Sequence, residues 1–444
     1  MHRVLNSVLT LLAASTSLLG RVAEGKLVFA HYLVGSIDSN TDHAQQDIEQ
    51  AAAVGFDAFA LNIGAPGADW LLSAVKQLFD YADTRNDFKL FFSFDFYQEG
   101  DINAHAALYT QFAGRASYLH YGDANLPVVS SYSGGGIGVD AWRNFKTANN
   151  VYLVPNPEAD GNYYSQPATF FQTWGDVVDG VFSWETNWPD TSDTPVNVSS
   201  TRDQAVKTAA DAAGKTYVMG LSTLQYKHCC GDSWYRSGET NLAERMNQIL
   251  ELSPEFTEVI TWNDAGESHY IGPCWPEGLN AEILQYGNSD ANPHSGWQPL
   301  ISSFIAAFKA GAPDTSAMVP AGGASFAGAL WYHGVLKSCL GNGSDGTPRG
   351  SGAALDTVVY AVVLPAGSQG FQVRVSSGGQ TLATQAVTAG LNANSIAGLR
   401  AGAQLLELLD AGGNVVASAA SKVDVGDQPT DGFCDFNYYV VGLE

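Results

Sequence analysis

The residues best placed to do chemistry are Asp264 and Glu267, two carboxylates in the segment Thr261-Trp262-Asn263-Asp264-Ala265-Gly266-Glu267-Ser268-His269-Tyr270. In an extended strand, residues three apart point to opposite faces and lie about 10 Å apart along the chain, which would separate the two acids. Gly266 lets the chain turn instead, so that both can face one pocket. Two convergent carboxyl groups suit the hydrolysis of a glycosidic bond. One protonates the leaving oxygen while the other activates water or attacks the anomeric carbon, and the turn alone leaves inversion and retention both open. No Gly-x-Ser-x-Gly elbow accompanies a strand and no His-Glu-x-x-His helix is present, which removes the commonest serine and zinc hydrolases from consideration.

A carboxylate pair needs a scaffold that brings strand ends together. Over residues 26–311, short apolar β-rich runs alternate with amphipathic helical ones. The strand candidates are 27–34, 56–63, 89–95, 127–132, 151–156, 180–185, 216–221 and 256–262. Helical patterns cover 43–54, 70–85, 102–120, 201–213, 240–252 and 298–309. Continuous hydrophobicity in the strands implies burial on both faces, as in a parallel sheet wrapped by helices. Eight such units predict an α/β fold, a (β/α)8 TIM barrel. A doubly wound open sheet is the rival, but no Gly-rich phosphate loop follows any strand. Residues 312–325, broken by Pro and Gly, read as a linker. Residues 326–444, with runs at 357–364, 371–376 and 405–409 between Gly-rich turns, predict a C-terminal antiparallel β-sandwich domain.

A barrel presents its site at the C-terminal ends of its strands. The polar and aromatic residues found there are His31, Tyr32, Asn62, Asp95, Tyr132, Asn156, Glu158, Glu185, Trp188, Trp262, Asn263 and His269. Carboxylates, amides and rings without a basic cluster suit a neutral pyranose polymer, whose hydroxyls take directional hydrogen bonds and whose faces stack on aromatic side chains. Trp234 and Trp275 are further candidate platforms. Each has a structural alternative: polar strand ends often only cap a barrel, a lone His is as often a structural hydrogen-bonding group, and a loop Trp as often covers the core.

Composition narrows the partners. With 21 Lys+Arg against 45 Asp+Glu, the 444-residue chain carries a formal charge of −24. Nucleic acid and an anionic membrane surface would approach a field of their own sign, so neither is expected. A hydrophobic fraction of 45% with 15% charged residues excludes wholesale disorder. Arg3 followed by an apolar run to Leu19 and then small residues reads as a signal peptide within 1–25, too rich in Ser, Thr and Asn to span a bilayer well. Secretion would make the sequons at Asn197 and Asn342 usable. Five cysteines in an oxidising compartment leave one over. Cys339 and Cys434 are expected to pair within the last quarter, and Cys274 with Cys229 or Cys230. Adjacent cysteines lack the spacing of a zinc site, and neither metal nor cofactor is expected. The chain is expected to be monomeric.

The segments Val28-Phe29-Ala30-His31-Tyr32, Gly55-Phe56-Asp57-Ala58-Phe59-Ala60-Leu61-Asn62-Ile63-Gly64, Phe92-Ser93-Phe94-Asp95 and Trp262-Asn263-Asp264-x-Gly266-Glu267-Ser268 together resemble the fungal α-1,3-glucanases, or mutanases, of glycoside hydrolase family 71. Four strand ends match in order, and the resemblance covers about 27–308 and continues into the β-rich C-terminal region. It implies a barrel with an appended β-sandwich, an extracellular or cell-wall location, and hydrolysis of α-1,3-glucan with inversion. It also implies Asp264 and Glu267 as the catalytic acids, with Glu267 read as the general acid and Asp264 as the base. Two other functions stay distinguishable: a glycosidase of another linkage, by its products, and a secreted non-catalytic glucan-binding protein, by binding without release. The C-terminal domain is expected to be mainly structural.

Overall fold

Runs such as LVFAHYL and KLFFSFD alternate too little to leave one face in water, and they form the centre of a curled parallel sheet. The computed structural model describes residues 25–37, 40–341, 347–426, 428 and 434–444, so the expected signal segment up to residue 24 and the sequon at Asn342 lie outside the described residues. The parallel strands are β1 (Leu27–Leu33), β2 (Ala58–Ile63), β3 (Lys89–Asp95), β4 (Leu126–Tyr132), β5 (Tyr152–Val154), β6 (Gly180–Ser183), β7 (Thr216–Ser222) and β8 (Phe256–Ile260). Their spatial order is β5-β4-β3-β2-β1-β8-β7-β6. Chain order therefore runs round the sheet. Its two ends, β5 and β6, meet through two backbone hydrogen bonds, Asp179 N to Leu153 O at 2.8 Å and Phe182 N to Pro155 O at 3.0 Å.

Helices cover the outer face: α1 (Ala44–Val54), α2 (Asp69–Ala82), α3 (Ile102–Phe112), α4 (Val139–Asn149), α5 (Pro167–Trp174), α6 (Thr201–Ala212), α7 (Asn241–Leu252) and α8 (Gln298–Lys309). α2 shows why they form. Leu71, Ala74, Val75, Leu78, Phe79 and Ala82 recur at three- and four-residue spacing and are all buried, each large side chain contributing about 1.5–3 kcal/mol. Gly55 stops α1 with a left-handed φ of 110°. The helix expected over 102–120 ends at Phe112, because residues 113–119 turn and His120–Tyr121 pairs antiparallel with the start of β4. Between α6 and α7, Asp203 and Arg245 form a fully buried ion pair at 2.9 Å, with Tyr217 and Thr186 also donating to Asp203.

The C-terminal region holds two four-stranded antiparallel sheets. Its strands are β9 (Ala327–His333), β10 (Thr357–Leu364), β11 (Gln372–Ser377), β12 (Gln380–Ala386), β13 (Gly390–Ala397), β14 (Gln404–Leu409), β15 (Val415–Ala420) and β16 (Tyr438–Gly442). The sheet orders are β13-β10-β9-β16 and β12-β11-β14-β15. Alternation gives the first sheet two buried faces. Leu330, Tyr332, Val358, Tyr360 and Val362 pack with Val373, Leu406 and Leu408 of the second sheet. Ala329, Trp331, Val359, Ala361 and Val363 join the core of the parallel-sheet region instead. Trp331 donates to Glu239 O at 3.0 Å and lies edge-on to Trp297 at 5.8 Å.

Cys339 and Cys434 are bonded across 95 residues. The expected pairing of Cys274 with Cys229 or Cys230 is corrected: Cys229 and Cys230 are bonded to each other, and Cys274 is a buried free thiol. The reason is burial in different places. Cys274 packs in a small cluster with Ala265 and Tyr270, whereas Cys229 and Cys230 form the tip of a hairpin, 225–236.

Candidate active site

The C-terminal ends of the parallel strands surround a cleft of about 490 Å³. Side-chain alternation decides which strand-end residues reach it. His31 of β1 points inward, fully buried, and donates from Nδ1 to Glu258 Oε1 of β8 at 2.7 Å. Its Nε2 accepts from Asn62 of β2 at 3.2 Å. Asn62 in turn hydrogen-bonds Asp95 of β3, whose Oδ1 also accepts the N–H groups of Tyr97 and Gln98. Burial raises the Asp95 pKa despite these donors. Tyr132 of β4 packs edge-on to Trp184 at 4.8 Å, and Trp184 edge-on to His31 at 4.9 Å. Together they make an aromatic and amide floor.

The loop after β8 carries the two acids. Thr261 N donates to His269 O at 2.7 Å, which folds the segment back on itself. Asp264 N donates to Thr261 Oγ1 at 2.8 Å, and Glu267 N to Asp264 Oδ1 at 3.0 Å. The left-handed residue of this turn is Ser268, with φ 60°, rather than Gly266. Gly266 allows a close approach instead: a Cβ there would sit 3.3 Å from Asp264 Oδ1. Both acids line the cleft, and an oxygen of each lies within 4.8 Å of the other and of a His269 ring nitrogen. His269 faces Thr261 Oγ1 through Nδ1 at 3.3 Å and donates from Nε2 to Glu267 Oε2 at 3.1 Å.

A hairpin after β7 forms the adjoining wall. Its residues alternate: Gln225, Lys227, Trp234 and Arg236 line the cleft, while Tyr226 and Tyr235 turn toward the C-terminal sheets. Gln225 Nε2 donates to Glu267 Oε2, and Arg236 to Glu185 Oε2 at 2.9 Å. These contacts set the charges. Burial pushes Asp264 above the usual carboxylate range, with the Glu267 charge adding to it and His269 opposing. Burial also pushes Glu267 upward, but the His269 and Gln225 donors outweigh it and hold Glu267 below its ordinary value. These directions make Glu267 the more acidic of the two carboxyls in the free site, opposite in sense to the order expected from the sequence.

Of the expected sugar-contacting residues, His31, Asn62, Asp95, Tyr132 and Glu185 line the cleft. The others do not reach it. Tyr32 and Trp262 point outward, both donating to Asp47 of α1, and Trp275 does the same. Asn263 ties down the end of β1 through Leu33 N and O. Asn156 is buried and donates to Phe182 O across the β5–β6 seam. Trp188 donates to Leu224 O beneath His269, which itself acts on the acids from behind the wall. Glu158 props the β6 loop, accepting from Trp184 N at 2.7 Å and Glu185 N at 2.9 Å. Trp184, Gln225, Lys227 and Arg236 were missed. The signal for the last three was the two-residue alternation about Tyr226 and Tyr235. Among the described residues, three metal-ligating side chains converge at Asp264, Glu267 and His269 and at Cys229, Cys230 and Glu282. In the latter the sulfurs are spent in a disulfide, and in the former His269 already serves the acids.

Burial raises Glu158 and Asp435 each to a pKa of about 7. A folded carboxyl with a raised pKa holds its proton more tightly than the unfolded chain does. The resulting stability is complete below about pH 4 and lost as pH rises toward about 7. Thermal melts should therefore run a few degrees higher near pH 5 than near pH 7.5, and Glu158→Gln should shrink that difference. An unchanged pH profile in the variant would contradict the assignment.

The sequence model described as Glycosyl hydrolase family 71 matches residues 24–444. A mutanase of Penicillium rubens is 29% identical over 444 residues, covering 98% of this chain and 94% of the relative. A glucan endo-1,3-alpha-glucosidase of Schizosaccharomyces pombe is 31% identical over 319 residues, covering 68% of this chain and 71% of the relative. Among solved structures, an endo-alpha-mannosidase of Bacteroides thetaiotaomicron superposes with a TM-score of 0.50 at 10% identity, over 64% of this chain and 98% of that one, a likeness of fold alone.

Proposed function

The chain belongs to glycosyl hydrolase family 71, and from that premise we propose that it is a secreted, monomeric hydrolase of the α-1,3-glucosidic bonds in α-1,3-glucan, with Asp264 and Glu267 as its acid–base pair. The observation that carries this reading is the convergence of two partly buried carboxylates on one wall of a sugar-sized cleft floored by His31, Asn62, Tyr132 and Trp184. The substrates named for the fungal relatives support the linkage. We read the scaffold as a (β/α)8 barrel over 26–311, joined by a linker at 312–325 to a β-sandwich over 326–444. The strand order and the two backbone bonds across the β5–β6 seam support that reading.

Hydrolysis with inversion requires one carboxyl to protonate the leaving O3 while the other draws a proton from water attacking the far side of the anomeric carbon. The family resemblance favours inversion. A second reading, retention through a glucosyl–enzyme ester, is favoured by one feature: oxygens within 4.8 Å are close for carboxylates that must admit a water, since inverting pairs are typically about 6.5–9.5 Å apart. Proton NMR of fresh products separates them. A β-anomer appearing first from α-1,3-glucan supports inversion, and an α-anomer overturns it. The acid is found with an α-1,3-oligosaccharyl fluoride, whose leaving group needs no proton. One amide variant should keep turnover on the fluoride while losing it on the glucan. Glu267→Gln is that variant if the sequence-based order holds, and Asp264→Asn if Glu267 stays the more acidic of the two with sugar bound.

A further inference from the structure

The outer end of the cleft is built from two distant parts of the chain. Residue 349 pairs in parallel with Trp234 of the hairpin: Tyr235 N donates to Arg349 O at 2.8 Å, and Arg349 N to Ser233 O at 3.2 Å. The approach is so close that a Cβ on Gly350, which adopts φ 81°, would meet Tyr235 O at 2.4 Å. Lys227, Trp234 and Arg349 consequently stand in register across three adjacent segments, and all three line the cleft. The Lys227 ammonium lies 4.7 Å from the indole centroid and the Arg349 guanidinium 5.9 Å from it. Arg349 also donates to Asp232 at 3.0 Å, an ion pair open to solvent, with side chains 66% and 51% exposed.

An exposed ion pair of this kind contributes little to folding. Its charged groups nevertheless surround one ring at the mouth of a cleft, in a chain whose net charge is −24. The chemistry they offer is that of sugar recognition: an ammonium and a guanidinium to donate, a carboxylate to accept, and an indole against which C–H groups pack. Position supports the same assignment. Gln225 holds Glu267, and Lys227 lies two residues further along the same extended strand, roughly 7 Å on. A chain whose scissile bond lies at Glu267 reaches this ladder with a glucosyl unit beyond the two joined by that bond.

We infer that Lys227, Trp234, Asp232 and Arg349 form a glucosyl-binding subsite beyond the two that flank the scissile bond, built jointly by the parallel-sheet and C-terminal regions. The C-terminal region thus takes part in substrate binding as well as in folding. The inference rests on the α-1,3-glucan reading above and names one subsite of it. The test is a length series of α-1,3-linked gluco-oligosaccharides, from the shortest one cleaved to the polymer, hydrolysed by the full-length protein and by Trp234→Ala, Arg349→Ala and Trp234→Phe. Both Ala variants should lower kcat/KM about tenfold or more on long chains relative to the shortest. Trp234→Phe should recover most of the loss, and thermal melts of all three should match the parent. Equal losses at every length, or none at any, would overturn the subsite while leaving the function intact. Failure of the parent itself to cleave any α-1,3-linked chain would instead overturn the function, and the subsite with it.

Discussion

Asp264→Asn and Glu267→Gln are each expected to lower kcat on α-1,3-glucan by about 10³-fold or more, with affinity for an α-1,3-oligosaccharide changed only a few-fold. The two amides differ little from the acids in shape. In Asp264→Asn the side-chain oxygen still accepts the Glu267 N–H that the carboxylate accepts at 3.0 Å, so the turn survives. In Glu267→Gln an amide oxygen in the place of Oε2 still accepts from both His269 and Gln225. Lost in either case is a group that can exchange a proton with substrate or water. Calorimetric titration of the two inactive variants, set beside their turnover, separates this from a folding defect. If either variant turns over glucan within about tenfold of the parent, the pair is not the acid–base couple. Asp95, the other buried carboxyl in the cleft with a raised pKa, would then be the next acid to test.

The two acids were legible because the Asp-x-x-Glu spacing only makes sense at a turn, and the strands were legible because burial on both faces leaves continuous apolar runs. That same continuity hid the direction of each side chain. Without polar alternation, nothing in the run of residues 28–32 says that His31 faces the cleft and Tyr32 faces Asp47 of α1. Adjacent polar strand-end residues therefore looked equivalent, although Tyr32, unlike His31, holds the scaffold. Trp262 and Asn263 failed for this reason: one reaches Asp47 and the other the end of β1. The hairpin was hidden differently. Its strands carry charged residues on the face toward the cleft and tyrosines on the face toward the C-terminal sheets, so it lacks the apolar stripe that marks a surface strand. The pairing of Cys274 was misjudged because it was reached by elimination, whereas the neighbours Cys229 and Cys230 bond each other.

A chain ending at Gly311 is expected not to fold, and Trp331→Ala in the full chain to lose about 3–5 kcal/mol of stability. The parallel-sheet region presents Trp297 and His294 to β9 and β16. Trp297 and Trp331 pack there at 5.8 Å. His294 sits buried between Tyr270 O and Tyr438 O, at 2.9 and 3.1 Å. Asn437 donates to Tyr286 O at 2.7 Å, and Tyr226 to Cys434 O at 3.1 Å. Truncation would expose those rings and strand these polar groups at once, and such a surface aggregates rather than hydrates. Trp331→Ala removes a fully buried indole and leaves Glu239 O without its donor. Because Tyr235 ties the back of the hairpin to His333 and Tyr438, the same interface steadies the wall from which Gln225 holds Glu267. Urea unfolding of the variant beside the parent measures the loss. A truncated chain that is soluble, melts cooperatively and hydrolyses the shortest cleavable oligosaccharide at the parent rate would show that the parallel-sheet region needs neither the support nor the steadied wall.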